Sequence, residues 1–398
     1  MEPHLAAAAR AKEAARSSYG RLIAVLAART GDITAAEDAL ADAFERALRT
    51  WPTSGIPDNP EGWLVTVAKN RWLDALKRPA TPVTLVVPAE AELDVIDPDR
   101  IPDKRLELMF VCAHPAIDPA IRTPLMLQVV LGFEAADIAT AFAIPATTMA
   151  QRLVRAKRRI KDARIPFVVP SRDDMPARLP PVLEAVYGAY AIDWQTVSGT
   201  TVRDSLAGEA LYLADVLATL LPDPEVLGLA ALLSLSIARI PARTPAGAFV
   251  PLESQDSRLW DAALIAHGEG LLRRAHALGN VGRFQLEAAI QSVHCARAST
   301  GTTDWKALRA LHLRLMEVAP SLGGRVSLAV VVARLDGPAA GLALLDALDE
   351  PVFQPYWAAR AHLLASAGRT DAAADAFAKA VSLTTDPAVR DYLSARLP

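Results

Sequence analysis

"TTMAQRLVRAKRRIKDAR" runs from Thr147 to Arg164, and seven of its last thirteen residues are Arg or Lys. The chain as a whole has 398 residues and a net charge of −3. A dense basic run in an acidic chain marks a local candidate for binding a polyanion, which the whole-chain charge conceals. Immediately upstream, "FEAADIATAFAIPA" shows helical spacing over about Ala135–Ala143, and Pro145 suits the opening turn of a second helix. So short a connector predicts a helix-turn-helix, with Ile138, Phe142, Ile144, Met149 and Leu153 forming one apolar seam. Small polar residues, Thr147, Thr148 and Gln151, occupy the first turn of the second helix, where base edges are read. Arg152, Arg155, Lys157, Arg158 and Arg159 follow in later turns, where phosphates lie. A solvated charged face is the plain alternative; the helix-turn-helix setting favours DNA.

Working outward, the charge falls into four blocks. Residues 1–80 carry 11 basic and 10 acidic side chains, and residues 81–103 carry 1 and 6. Residues 104–172 carry 11 and 5, and residues 173–398 carry 19 and 24. The blocks match a change of texture. Residues 1–80 read as amphipathic helices, and residues 81–103 as a flexible acidic linker. Residues 104–172 hold the helix-turn-helix, and residues 173–398 are helical segments punctuated by Gly, Pro and Asp. Near the end, Trp357, Ala361, Leu364, Gly368, Ala373, Phe377 and Ala380 follow tetratricopeptide spacing, and "SLAVVVARLDGPAAGLALLDAL" is a looser version. Ala and Leu dominate and aromatics are 6% of the chain, so the expected fold class is all-α.

A second basic group lies in the first block: Trp63, Lys69, Asn70, Arg71, Trp72, Lys77 and Arg78. Trp63 and Trp72 are either core residues or stacking platforms for single-stranded bases. The preceding loop, Pro52 to Glu61 with Asp58 and Asn59, is a candidate pocket for an extruded base.

These segments together resemble a known arrangement. "GDITAAEDALADAFERAL", "NPEGWLVTVAKNRWLDALKR" and "MAQRLVRAKRRI" are similar to bacterial RNA polymerase sigma factors of the extracytoplasmic-function (ECF) type. The family pattern W-L-x-x-x-A-x-N-x-x-x-D-x-x-[KR] is met at Trp63, Leu64, Ala68, Asn70, Asp74 and Lys77. The resemblance covers sigma domain 2 at about residues 15–80 and sigma domain 4 at 104–165. The long helical tail resembles the subgroup with a C-terminal tetratricopeptide-like extension. The resemblance implies that domain 2 docks on the clamp helices of the largest core polymerase subunit and holds the melted −10 element. Domain 4 reads duplex DNA at −35, near the polymerase flap. It puts Asp38, Asp42 and Phe44 on the polymerase-docking helix. It puts Trp63, Lys69, Asn70, Arg71, Asp58 and Asn59 at the −10 site, and the residues from Thr147 to Arg159 named above at the −35 site. Two departures stand out. Ala41 occupies a docking-helix position where the family commonly has Gln, and "AYAIDW" at Ala189–Trp194 replaces a "FNEGY"-like stretch.

Other classes find less support. Cys112 and His114 offer two metal ligands where a structural zinc needs four, so no metal is expected. No Walker loop, dinucleotide fingerprint or catalytic triad pattern is present, so neither enzyme activity nor a cofactor is expected. Apolar runs fall short of a membrane span and the N-terminus lacks a secretory core, so a reducing cytoplasm is the expected compartment. In the extension, Gln255, Asp256, Arg258 and Asp261 are candidates for a ligand or partner site; a structural loop clamped by Trp260 is the alternative. Helical repeats present peptide-binding surfaces, so a protein or peptide partner is expected there. Two alternatives to a sigma factor remain open: a dimeric helix-turn-helix regulator working without polymerase, and a helical-repeat scaffold with degenerate N-terminal domains.

Overall fold

The computed structural model describes residues 2–77, 103–163, 165, 170–194, 206–349 and 352–396. The acidic linker expected at 81–103 lies almost wholly outside the described residues. Among those described there is no strand, and the chain is all-α. It divides into two compact units, Met1–Ala189 and Tyr190–Pro398.

The first unit contains α1 (Glu2–Thr30), α2 (Ile33–Ser54), α3 (Pro60–Lys77), α4 (Lys104–Cys112), α5 (Pro119–Val129), α6 (Ala135–Ala141) and α7 (Ala146–Asp162). It also takes in most of α8 (Met175–Trp194). Helix starts follow the sequence: the Asp32, Asp103 and Asp118 carboxylates cap α2, α4 and α5 by accepting backbone N–H bonds. The first three helices pack through Ile23, Leu26, Leu40, Trp51 and Leu64, all nearly or completely buried. Helices α4 and α5 form a second apolar centre with Leu106, Phe110, Leu125 and Met126. These two centres are joined. At Gly20 of α1 an added Cβ would lie 1.7 Å from the carbonyl oxygen of Val130, so only glycine permits this approach. Helix α8 adds Met175, Val182, Val186 and Ala189 to the buried set. Its Arg178 donates to the Phe110 carbonyl, and its Pro181 carbonyl accepts from Thr123. A boundary near residue 172 is expected from composition, whereas the compact unit extends to Ala189.

The second unit contains α9 (Leu206–Leu220), α10 (Pro224–Ile237), α11 (Ile240–Arg243), α12 (Ala262–Ala277), α13 (Arg283–Cys295), α14 (Arg297–Thr300) and α15 (Trp305–Val318). It ends with α16 (Leu322–Asp336), α17 (Pro338–Asp346), α18 (Gln354–Ser366), α19 (Thr370–Ser382) and α20 (Pro387–Ser394). Helix α10 is its axis: every residue from Val226 to Ile237 is buried, with α9, α12 and α13 packed around it. Complete burial explains why α10 has no polar face. The residues with tetratricopeptide spacing fall on the hairpin α18–α19, where Ala361, Leu364, Ala373, Phe377 and Ala380 are buried together. Helices α16 and α17 form the preceding hairpin and pack on α18. No single described helix is long and apolar enough to cross a membrane.

Candidate nucleic-acid interface

Helix α7 buries Met149, Leu153, Ala156 and Ile160, a single stripe at helical spacing. Rotating about 100° per residue from that stripe, Thr147, Thr148, Gln151, Arg152, Arg155, Arg158 and Arg159 occupy an arc of roughly 140° on the far side. All are exposed except Thr148, which is half-buried. Four guanidinium groups and three small polar side chains thus share one face. Arg155 Nε donates to the Gln151 carbonyl at 3.3 Å, which leaves the end of its guanidinium fork pointing outward. The chemistry of this face is that of a major-groove reader: hydrogen-bonding groups at the N-terminal turn and cations after it.

Lys157 does not belong to that face. It lies on the opposite flank, and its Nζ donates to both carboxylate oxygens of Glu37 on α2, at 2.8 and 3.2 Å. The pair is well enclosed, with side chains only 15% and 18% exposed. One turn further along α7, Lys161 pairs with Asp32 at 3.0 Å. Helices α6 and α7 are joined by a short turn. Pro145 sits at the N-cap, one residue before the helix. Phe142, expected in the shared seam, is 41% exposed. The chain turns at Ala143 through a left-handed conformation (φ 52°), which swings the preceding ring outward while Ile138 and Met149 close the seam.

On α3, Leu64 and Ala68 are buried, and Lys69, Asn70 and Arg71 are exposed together on the outer surface. Trp63 is half-buried, its ring edge-to-face with the enclosed Trp51 at 5.5 Å and 64°. It therefore serves as partial core and keeps some surface. Asp58 is exposed. Asn59 has a structural duty: its Oδ1 accepts the Gly62 N–H at 2.9 Å and so caps α3. Arg71 is engaged by Asp42 of α2 at 2.5 Å. Two residues expected to serve different macromolecules thus hold each other in the free chain. Asp38 and Ala41 on α2 are exposed, and Phe44 is half-buried.

Glu37 was not distinguishable in the sequence. It stands where α1, α2, α4 and α7 meet. Burial, aided by the Glu37 carboxylate, pushes the Tyr19 phenol up to about 12 and the Cys112 thiol up to about 12. The only sequence signal would have been charge complementarity between α2 and α7, which is non-local. Cys112 is an inert core residue, and the His114 ring nitrogen Nδ1 accepts the Ala116 N–H. No cluster of three metal-ligating side chains occurs among the described residues.

In the second unit, the candidates of the 250–261 loop are spent on the loop itself. Gln255 Nε2 donates to the Val250 carbonyl. Asp256 caps the short turn 257–259 and pairs with Arg258, which holds its carboxyl down at about 2. Asp261 caps α12 by accepting from the Ala263 and Leu264 N–H groups. Trp260 is buried beneath Arg297, whose guanidinium lies 4.9 Å from the ring centroid and donates to the Glu253 and Gln255 carbonyls. The structural-loop alternative describes what is seen.

Comparison with known proteins agrees with the geometry of the first unit. A family model for sigma-70 region 2 matches residues 15–81, and one for a family of unknown function (DUF6596) matches residues 178–276. An uncharacterised protein of Rhizobium meliloti, R00370, is 34% identical over 376 residues, covering 91% of this chain and 89% of that protein. A probable ECF RNA polymerase sigma factor, SigI of Mycobacterium tuberculosis, is 33% identical over 143 residues, 34% of this chain and 49% of that one. No solved structure matches. The sigma-70 region 2 match falls on α1–α3, the R00370 likeness runs nearly end to end, and the DUF6596 match runs from α8 to α12. The chain belongs to the sigma-70 family and carries a C-terminal helical extension.

Proposed function

We propose that this sigma factor binds core RNA polymerase through α2, reads duplex −35 DNA with α7 and holds melted −10 DNA on α3. The observation that carries the reading is the exposed arc on α7, where Thr147, Thr148, Gln151, Arg152, Arg155, Arg158 and Arg159 converge on one solvent face. Lys157 is better assigned to the free chain's own packing than to DNA, because its ammonium already has a carboxylate partner. On α3, Trp63, Lys69 and Asn70 supply a ring and polar groups suited to unpaired bases. On α2, Asp38 and Phe44 are the residues offered to the clamp helices. The second unit is a tetratricopeptide-like regulatory domain that binds a protein or peptide, its α16–α19 hairpins supporting that assignment. The 250–261 loop is not part of its binding surface.

The experiment is co-elution of the full chain with core RNA polymerase, followed by transcription from promoter libraries. Stoichiometric binding that competes with a housekeeping sigma factor, and initiation at a defined −35/−10 pair, are expected. A palindromic footprint without polymerase binding would move the assignment to a plain operator reader. Trp63→Ala is expected to reduce permanganate reactivity of −10 thymines more than closed-complex formation; unchanged opening would remove Trp63 from the site.

A further inference from the structure

We propose that the second unit binds a small free carboxylate at Arg239, a buried guanidinium that has no counter-charge among the described residues.

Arg239 follows α10, and its side chain enters the packing of α13. The residue is only 7% exposed. Its Nη2 donates to the side-chain oxygen of Gln291 on α13. Nε and Nη1 are sealed from solvent and meet no acceptor among the described residues. Burial lowers the pKa of the group, yet a guanidinium keeps its proton at neutral pH. A positive charge is therefore held inside the unit with two of its three nitrogens unused. Folds keep buried charges paired, because an unpaired one loses its hydration and gains nothing in return.

The surroundings do not supply the missing charge. The groups acting on Arg239 are Cys295, Tyr190 and Arg297, and none is a carboxylate. Burial raises the pKa of the Cys295 thiol, which points to the Leu235 carbonyl, so no thiolate serves. Arg297 adds a second cation, and its fork is spent on the Glu253 and Gln255 carbonyls. The acids of the adjoining loop are engaged elsewhere: Glu253 pairs with Arg334 at 3.2 Å, Asp256 pairs with Arg258, and Asp261 caps α12. His294 registers the same field. After burial itself, Arg239, His312 and Arg297 hold its imidazole down at about 3.

The chemistry selects the ligand. One uncompensated guanidinium balances one negative charge, so a phosphate dianion would carry excess charge into a dry site. Two nitrogens in a rigid planar donor group suit the two oxygens of a carboxylate better than a spherical halide. Gln291, His294 and Arg297 are half-buried around Arg239, so the site lies one side chain below the surface. That depth suits a small free carboxylate rather than one carried on a folded partner. Arg239 stands between the axial helix α10 and α13, and an anion there ties the two helices together at the centre of the unit.

The test uses the full chain at neutral pH, with acetate replacing chloride at constant ionic strength. Saturation-transfer NMR reads contact with acetate, and a melting curve reads its linkage to folding. Saturation transfer to acetate is expected, with a rise in melting temperature of roughly 2 °C or more. Arg239→Met puts an apolar chain of similar length in place of the buried charge and should abolish both signals. Gln291→Glu sets a carboxylate beside Nη2; it should melt above the unsubstituted chain without acetate and lose the response to it. Should Arg239→Met fold poorly, the Gln291→Glu measurements decide alone. Absence of saturation transfer in the unsubstituted chain, or an acetate response that survives in the variants, would overturn the site. A larger stabilisation by phosphate than by acetate would overturn the carboxylate class.

Discussion

Helix α7 and the loop at 250–261 are both dense in polar residues, yet they differ in where their polar atoms go. On α7 the arc from Thr147 to Arg159 faces solvent, its side chains uncommitted to packing and its helix anchored by a separate apolar stripe. In the loop, Asp256 and Asp261 accept backbone N–H groups, Gln255 bonds its own loop, and Arg258 closes on Asp256. Polar density is therefore a poor guide to a binding site. What distinguishes one is whether donors and acceptors remain after the local backbone has been satisfied. Lys157 and Arg71 repeat the lesson inside otherwise open surfaces, since each already holds a carboxylate.

The contrast is open to direct attack. The largest effect is expected from Arg152→Ala with Arg155→Ala. With two phosphate-facing cations removed, affinity for −35 duplex should fall by roughly 10-fold or more and its salt dependence should become shallower, while thermal stability and polymerase binding stay the same. Fluorescence anisotropy alongside a melting curve checks this; an unchanged affinity would show the arc to be only a solvated face. A smaller but still cooperative effect belongs to the second unit. Burial, with Arg239, His312 and Arg297 adding to it, holds His294 down at about 3, and burial also lowers His312 and His362. Groups whose folded values are depressed contribute stability that is complete above about pH 6.5 and is lost as pH falls toward 3. Acid should thus melt the second unit before the first, and hydrogen exchange at pH 7 and pH 4.5 would show it. Equal protection losses in both units would contradict the shifts. The smallest effects separate the loop's residues from one another. Asp261→Ala should cost about 1 kcal/mol through its lost cap. Arg258→Ala, whose side chain is 88% exposed, should leave stability essentially unchanged. Neither should alter DNA affinity; a change in it would return the loop to the list of binding surfaces.

Much of the molecule was legible before any coordinates. Helical periodicity marked α2, α3 and α7, and the spacing from Trp63 to Lys77 with the basic helix pointed to the family. These signals are local: a 3.6-residue period acts within a few residues of itself. What was misread was non-local. Phe142 fits the seam by spacing, and only the left-handed turn at Ala143 turned it out. Residue 172 looks like a boundary by composition, yet α8 completes the apolar packing of the preceding helices.

The sequence by itself determined that this protein is all-α, that it joins a sigma-70 region to a helical extension, and which helix carries the dense run of cations. The tertiary structure decided which of those cations are available. Lys157 and Arg158 are adjacent and chemically alike in the chain, but a helix turns about 100° between them. One faces Glu37 across a packed junction and the other faces water. Charge is written residue by residue, whereas its availability depends on which distant carboxylate the fold brings within about 3 Å.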